Sequence, residues 1–419
     1  MSESVHAQPT PTRRPHNGQV AKLLGPAFVA AVAYVDPGNV AANITAGARY
    51  GYVLVWVLVL SNLSAMIVQY LSAKLGIVTG RSLPQILGER LGKPARIAYW
   101  VQAEIVAAAT DLAEVIGGAL ALNLLFGVPL FAGGLILGLV SLAMLNLQSR
   151  RGQVIFERVI MGLLLVITIG FLAGLVLAPP DWGGVGSGMI PHFAGTDSVL
   201  VAASMLGATV MPHAIYLHSS LVNDRHGTEG LRTTSRAQLL HASRWDIIWA
   251  LSIAGLVNIG LLLLAASALS GVPNTDTIQG AHHAIANTLG PAIGVIFAIG
   301  LLASGLASTS VGAYAGSEIM RGLLHIKVSL LGRRLITLVP ALVILGVGAE
   351  PTAALVISQV VLSFGIPLAV IPLMRFTSST HLMGDFVNTR TEMLIGGVVS
   401  LAIVALNVLL VVLTVTGHS

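Results

Sequence analysis

Apolar residues come in runs of about twenty along nearly the whole chain, the length a helix needs to cross the hydrocarbon of a bilayer. Inside hydrocarbon every backbone N–H and C=O must be bonded within the protein, which leaves only helices and closed barrels. About eleven runs reach that length, near residues 22–47, 51–75, 97–124, 128–147, 156–178, 197–222, 245–270, 282–312, 334–349, 352–376 and 393–416. Hydrophobic types make up 55% of the chain and charged types 9%, against roughly 25% charged residues in soluble domains. A water-facing surface cannot be covered from that composition. The 46 glycines fit the same reading, since glycine is more frequent in spanning helices than in soluble ones. The expected fold is an all-α membrane protein of eleven transmembrane helices. Residues 1–20 are polar and Pro-rich, with no apolar core or small-residue cleavage site. They are expected to form a disordered cytosolic tail rather than a signal peptide, and residues 21–419 a single membrane domain.

Lysines and arginines in short loops set the orientation of such a protein. With the N-terminus in the cytosol, all but Arg49 of the 22 basic residues fall in inside segments, from Arg13, Arg14 and Lys22 through to Arg375 and Arg390. An odd number of spans then puts the C-terminus outside, in a multi-pass protein of the cell membrane. The formal charge of +5 is scattered between apolar runs, so it reads as an orientation signal and not as a nucleic-acid surface. There are no cysteines, which removes disulfides, Cys-based zinc sites, iron–sulfur clusters and Cys nucleophiles together. Methionine thioether is the only sulfur a metal could meet.

The first run reads GPAFVAAVAYVDPGNVAANITAG, with a carboxylate, a proline, a glycine and an amide in the middle of an apolar helix. An ionisable residue at mid-membrane is costly and usually faces a partner or a watery cavity. Pro37 lacks the N–H that would bond the carbonyl of Ala33, and Gly38 lets the chain unwind. Ala33, Asp36 and Asn39 are three residues apart, a spacing that on one helix brings their oxygens to one side. The sixth run, VLVAASMLGATVMPHAIYLHSSLV, repeats the device. Pro212 frees the carbonyl of Ala208, and Met211 and His213 flank it. A proline kink alone would explain Pro212, but it does not explain the buried charge of Asp36. Interrupted helices at corresponding places in two halves point to a transporter of inverted repeats with its site at midplane. The repeats are expected at about 22–178 and 197–376, with an added helix at about 393–416.

Asp36 offers one negative charge, Asn39 a neutral oxygen, and Ala33 and Ala208 carbonyl oxygens. Oxygen alone would suit magnesium or calcium, whereas the Met211 thioether favours a softer transition metal. Manganese and iron in the divalent state tolerate such a mixed shell. The bland reading of Met211 is packing, as for any methionine in a span.

These residues carry a resemblance to a known family. The chain resembles the Nramp family of proton-coupled divalent metal transporters, in its bacterial manganese-transport branch, over essentially everything after the N-terminal tail. The marks are Asp36-Pro37-Gly38-Asn39, Met211-Pro212-His213, the segment Ala109-Thr110-Asp111-Leu112-Ala113-Glu114, and the stretch from Ser358-Gln359 to Phe364-Gly365. The resemblance implies a LeuT-like fold of five plus five helices, uptake into the cytosol and proton co-transport. It implies metal coordination by Asp36, Asn39, Met211 and the carbonyls of Ala33 and Ala208, with Gln359 approaching the metal in some states. Branches that carry magnesium or aluminium lack the methionine, so Met211 speaks against them.

The third run carries Glu104, Asp111 and Glu114, which fall within an arc of about 80° and extend about 15 Å along a helix axis. Three carboxylates on one face make a plausible proton relay, or else they bind arginines structurally. The resemblance implies that Arg333 and Arg334 complete this charge network. His213 is either a proton carrier, with an unperturbed pKa near 6.5, or a structural donor, and Asp36 could itself accept the entering proton. His218 lies about 140° further round the helix, a poor partner for a metal clamp.

The expected activity is import of divalent transition-metal ions by alternating access, driven by protons and membrane potential, and not an enzymatic reaction. A divalent ion gains roughly 4.6 kcal/mol in crossing 100 mV inward, and no Walker-type motif is present. No cofactor and no obligatory protein partner are expected; the partners are metal ions, protons and the bilayer. The nearest alternative is a sodium-coupled small-molecule or amino-acid transporter of the same fold, but Asp36 would repel a substrate carboxylate. An intramembrane metalloprotease would want His-Glu-x-x-His, which is missing.

Overall fold

Pro26, Pro37, Pro212, Pro291 and Pro351 each stand first in a helix, in the first turn, where the absent N–H leaves no intrahelical bond unmade. The structure is a computed structural model that describes residues 25–151, 153–233, 235–326 and 330–416. The expected N-terminal tail and the orienting residues Lys22 and Lys327 lie outside the described residues. The first repeat contains α1 (Pro26–Ala33), α2 (Pro37–Tyr50), α3 (Val55–Thr79), the short α4 (Leu83–Arg90), α5 (Lys93–Phe126), α6 (Leu130–Arg151) and α7 (Gln153–Leu177). After the short α8 (Trp182–Gly188), the second contains α9 (Thr196–Thr209), α10 (Pro212–Thr233), α11 (Arg236–Ala268), α12 (Ile278–Leu289), α13 (Pro291–Leu324), α14 (Leu330–Gly346) and α15 (Pro351–Thr377). The short α16 (Thr380–Met383) and the last helix α17 (Arg390–Thr416) follow. No strand occurs among the described residues.

Helix pairing follows the relation that two inverted repeats impose. The third and eighth spans, α5 and α13, make the most extensive contact; α3 packs on α11, and α6 on α14. The cross-repeat contacts match as well: α2 lies on α11 as α10 lies on α3, and α5 meets α15 as α13 meets α7. A buried apolar core runs through these inner helices. The outer faces of α7, α14 and α17 instead present large apolar side chains such as Leu165, Ile336 and Leu394. A surface of that kind is stable only against lipid.

Among the described residues, eight helical segments are long and apolar enough to cross a membrane, the sixth span being counted across its break as Thr196–Arg225. The other three expected spans differ for identifiable reasons. The first is divided into α1 and α2, neither of which is long enough alone. The fourth, α6, has 22 residues, with side chains described only over its apolar part Leu130–Met144, and the ninth, α14, has 17 residues with Arg333 and Arg334 near its start. The count of eleven therefore stays an expectation. The eighth span is corrected in position: the run 282–312 is divided at Gly290, whose φ of 103° is open to glycine but costly for other residues. His282 and His283 accordingly sit on the separate helix α12.

Both ends of the broken first span are tied to the second repeat. Asp246 of α11 accepts the backbone N–H of Gly25 at 3.1 Å and that of Ala27 at 2.9 Å, satisfying two of the free donors at the start of α1. Arg49, the one basic residue expected outside, closes α2 and pairs with Asp276 at 2.6 Å.

Candidate functional site

The first break is built by Asp36. Helix α1 tightens at its end, where Tyr34 N–H bonds the Ala31 carbonyl at 3.0 Å and Val35 N–H that of Val32 at 3.1 Å. Asp36 then turns extended (φ −68°, ψ 166°) and becomes the N-cap of α2, its carboxylate accepting the Asn39 N–H at 2.8 Å. An Asp at this place is a favoured cap worth about 1 kcal/mol. The three-residue spacing therefore works differently from the sequence expectation. Ala33 and Asp36 do not share a helix face, because the chain leaves α1 between them; Asp36 and Asn39 meet through the cap.

At the second break α9 stops at Thr209 and α10 starts at Pro212, with Val210 (φ −104°, ψ 81°) turning the chain. Pro212 has no N–H for the carbonyl of Ala208. The Asn39 side chain supplies one: its Nδ2 donates to the Ala208 carbonyl at 2.8 Å and to Asp36 Oδ1 at 2.7 Å. The Ala208 oxygen, expected free, is thus bonded here, and the two breaks are joined through one amide. Met211 lies fully buried at the same break.

Gln359 arrives from α15. It packs so closely on Gly38 that a Cβ there would lie 1.7 Å from Gln359 Nε2. Asp36, Asn39, Ala208, Met211 and Gln359 all have no solvent exposure, and Ala33 almost none. Yet Asp36 Oδ2, Asn39 Oδ1 and Gln359 Oε1 find no hydrogen-bond partner among the described residues. Buried polar atoms are nearly always partnered, so unpartnered oxygens mark a place for an ion or water. No group of three His, Asp or Glu side chains able to hold a metal occurs among the described residues. An ion at the breaks would meet one carboxylate among neutral groups.

The third-span carboxylates divide into two kinds. Glu104 pairs with Arg333 at 2.9 Å and Asp111 with Arg334 at 3.4 Å, Arg334 also donating Nε to Ser141 at 2.9 Å. Glu114 is buried with neither carboxylate oxygen hydrogen-bonded among the described residues. Gly117, one turn further on α5, lies against the first break, where a Cβ would stand 2.0 Å from that of Pro37. Glu114 therefore lies beside the broken helix, and Asp111 and Glu104 lead away from it.

His213 and His218 face different neighbours. Thr110 Oγ1 lies 3.1 Å from the Val106 carbonyl and 3.3 Å from His213 Nδ1, in a bond whose donor is set by the His213 tautomer. His213 Nε2 is buried with no partner among the described residues. His218 Nδ1 bonds Gln69 Oε1 at 2.7 Å, and Gln69 Nε2 donates to the Tyr34 hydroxyl at 2.5 Å. Sequence reasoning missed Thr110 as a partner of His213, and missed Gln69, Tyr34, Asn258 and Ser304. Polar residues in apolar runs were the available signal, but nothing local told which of them meet.

Similarity to known proteins runs along nearly the whole chain. A sequence model of the family described as Natural resistance-associated macrophage protein-like, Nramp, matches residues 27–413. The divalent metal cation transporter MntH of Mycobacterium tuberculosis is 59% identical over 395 residues, which cover 94% of this chain and 92% of that protein. The crystal structure of the Eremococcus coleocola manganese transporter, in complex with an aromatic bis-isothiourea substituted compound, matches with a TM-score of 0.84 at 32% identity, covering 94% of this chain and 87% of that one. A nucleobase-cation-symport-1 family transporter in a closed conformation matches with a TM-score of 0.55 at 14% identity, over 94% of this chain and 93% of that one. At that identity the likeness is one of fold alone.

Proposed function

The chain belongs to the Nramp family, and from that premise we infer that it imports divalent transition-metal ions, manganese and iron among them, into the cytosol. Asp36, Asn39, Met211 and the carbonyls of Ala33 and Ala208 hold the ion, with Gln359 joining as the site closes. One observation carries the reading. The Asn39 amide spans the two broken helices at 2.7 and 2.8 Å, while Asp36 Oδ2 and Asn39 Oδ1 stay buried and unpartnered among the described residues. An arriving ion takes the free oxygens. If the Asn39 amide turns to present Oδ1, it also releases the Ala208 carbonyl to the ion. A single carboxylate among neutral ligands lets the ion leave again, which transport requires.

Uptake is coupled to protons and proceeds by alternating access. Support comes from the carboxylates on α5, where Glu114 lies beside the break and Asp111 and Glu104 are backed by Arg334 and Arg333. His213 Nε2 and Asp36 Oδ2 are buried atoms at the two breaks that have no partner among the described residues. The distribution of basic residues supports a cell-membrane protein with its N-terminus in the cytosol and its C-terminus outside. A related fold serves a nucleobase-cation transporter, so fold does not choose the cargo. The buried charge of Asp36 and the thioether of Met211 do: together they favour a divalent transition metal over an amino acid, whose carboxylate Asp36 would repel.

Manganese binding to purified protein, followed by titration calorimetry, tests the site. Asp36→Ala should abolish binding and uptake while Ser400→Ala, whose hydroxyl bonds the Gly396 carbonyl within the last helix, retains binding. Wild-type affinity in Asp36→Ala would overturn the assignment.

A further inference from the structure

Three consecutive carbonyls lose their helical donors where the first span breaks. Ala33 would be served by Pro37, which has no N–H; Tyr34 would be served by Gly38 and Val35 by Asn39. The extended geometry of Asp36 prevents helical bonds across the break, and its carboxylate takes the Asn39 N–H for itself. All three residues are buried, and an orphaned buried carbonyl is disfavoured. Two of them are served from the second repeat. Asn258 of α11 donates Nδ2 to the Tyr34 carbonyl at 2.6 Å and is itself held by Asn43 Nδ2 at 2.9 Å. Ser304 of α13 donates its hydroxyl to the Val35 carbonyl at 2.5 Å. Ala33 alone has no replacement donor among the described residues.

We propose that Ser304 and Asn258 are positioning residues for the metal site. By holding the Val35 and Tyr34 carbonyls, they fix the unwound turn so that the Ala33 carbonyl is the one oxygen left to face the ion. The proposal rests on the reading of the two breaks as a metal site. It explains why a serine stands in the apolar face of α13 with its hydroxyl directed at another helix. Ser308, one turn on, bonds the Ser304 carbonyl of its own helix at 2.8 Å and provides a matched control. Without the Ser304 hydroxyl the Val35 carbonyl must find another donor or turn, and the Ala33 carbonyl moves with it.

The test is manganese affinity of the full chain in detergent, by titration calorimetry, alongside thermal stability. Loss of one such hydrogen bond predicts a Kd raised about five- to tenfold in Ser304→Ala, with Ser304→Cys, a weak donor of similar size, in between. Ser308→Ala should bind as the wild type does. A merely structural hydroxyl would lower the melting temperature and leave the Kd of the folded protein unchanged, and that result overturns the proposal. If Ser304→Ala does not fold, a wild-type Kd in Ser304→Cys counts against it equally. Asp36→Ala separates the two failures. If it binds manganese like the wild type, the metal-site reading is wrong and the positioning role falls with it; if only the Ser304 variants are unaffected, the site stands and the positioning role is wrong.

Discussion

The side-chain amide of Asn39 stands 2.8 Å from the carbonyl oxygen of Ala208, 169 positions along the chain. The contact joins the two helix breaks, one from each repeat, at the point where proline has removed a backbone donor from α10. The same amide reaches Asp36, so cap, charge and cross-repeat bond meet on two side chains.

Asp36 has a structural duty as the cap of α2 and a chemical one as the site's charge. Asn is as good a cap as Asp, so Asp36→Asn keeps the first and removes the second. The variant should melt within a few degrees of the wild type and lose manganese binding. Loss of both together, in a circular-dichroism melt and a calorimetric titration, would mean that the carboxylate acts chiefly in folding.

Met211 is buried at the second break, and its role rests on thioether chemistry. Met211→Ala should retain part of the manganese transport and lose discrimination against calcium and magnesium, because only oxygen ligands remain. Met211→Leu fills the same space without sulfur and should show the same loss of selectivity. Competition of calcium against manganese uptake in the two variants distinguishes sulfur from packing.

Gly316 of α13 lets Arg333 lie flat against its backbone: a Cβ there would stand 1.9 Å from the guanidinium carbon. Gly316→Ala must displace Arg333 from Glu104, at a cost of about 1–3 kcal/mol for overpacking a buried contact. A thermal melt should register the loss. Arg333→Ala should cost much less in the Gly316→Ala background than in the wild type, as expected for two residues that act through one contact.

Glu114 is the buried carboxylate of α5 with no hydrogen-bond partner among the described residues, beside the broken first span. Glu114→Gln preserves shape and cannot carry a proton. The variant should bind manganese and move it down its gradient, with uptake no longer responding to a pH gradient. Uptake that still rises with an inward proton gradient would place the relay elsewhere.

The parts of the site that were legible in the sequence are those where a residue contradicts its surroundings. Asp36-Pro37 in an apolar run and Pro212 beside Met211 announce broken helices, because charge and proline are both out of place in a spanning helix. The parts that were not legible depend on partners far along the chain. Ser304 and Asn258 lie 269 and 224 positions from the carbonyls they hold, and helical periodicity carries no information about such pairs. Gly290-Pro291, preceded by the polar Asn287-Thr288, is a break signal outweighed in the sequence reading by the apolar stretch that follows it. The spacing of Ala33, Asp36 and Asn39 implies one shared helix face, but the chain is extended at Asp36 and the face is divided there.

Manganese accumulation in proteoliposomes, with and without an inward proton gradient and with calcium as competitor, tests the central claim most directly. Proton-coupled import at the Asp36 site predicts accumulation above equilibrium that requires the gradient, resists calcium and disappears in Asp36→Ala. Gradient-independent equilibration by folded wild-type protein, or accumulation undiminished in Asp36→Ala, would contradict it.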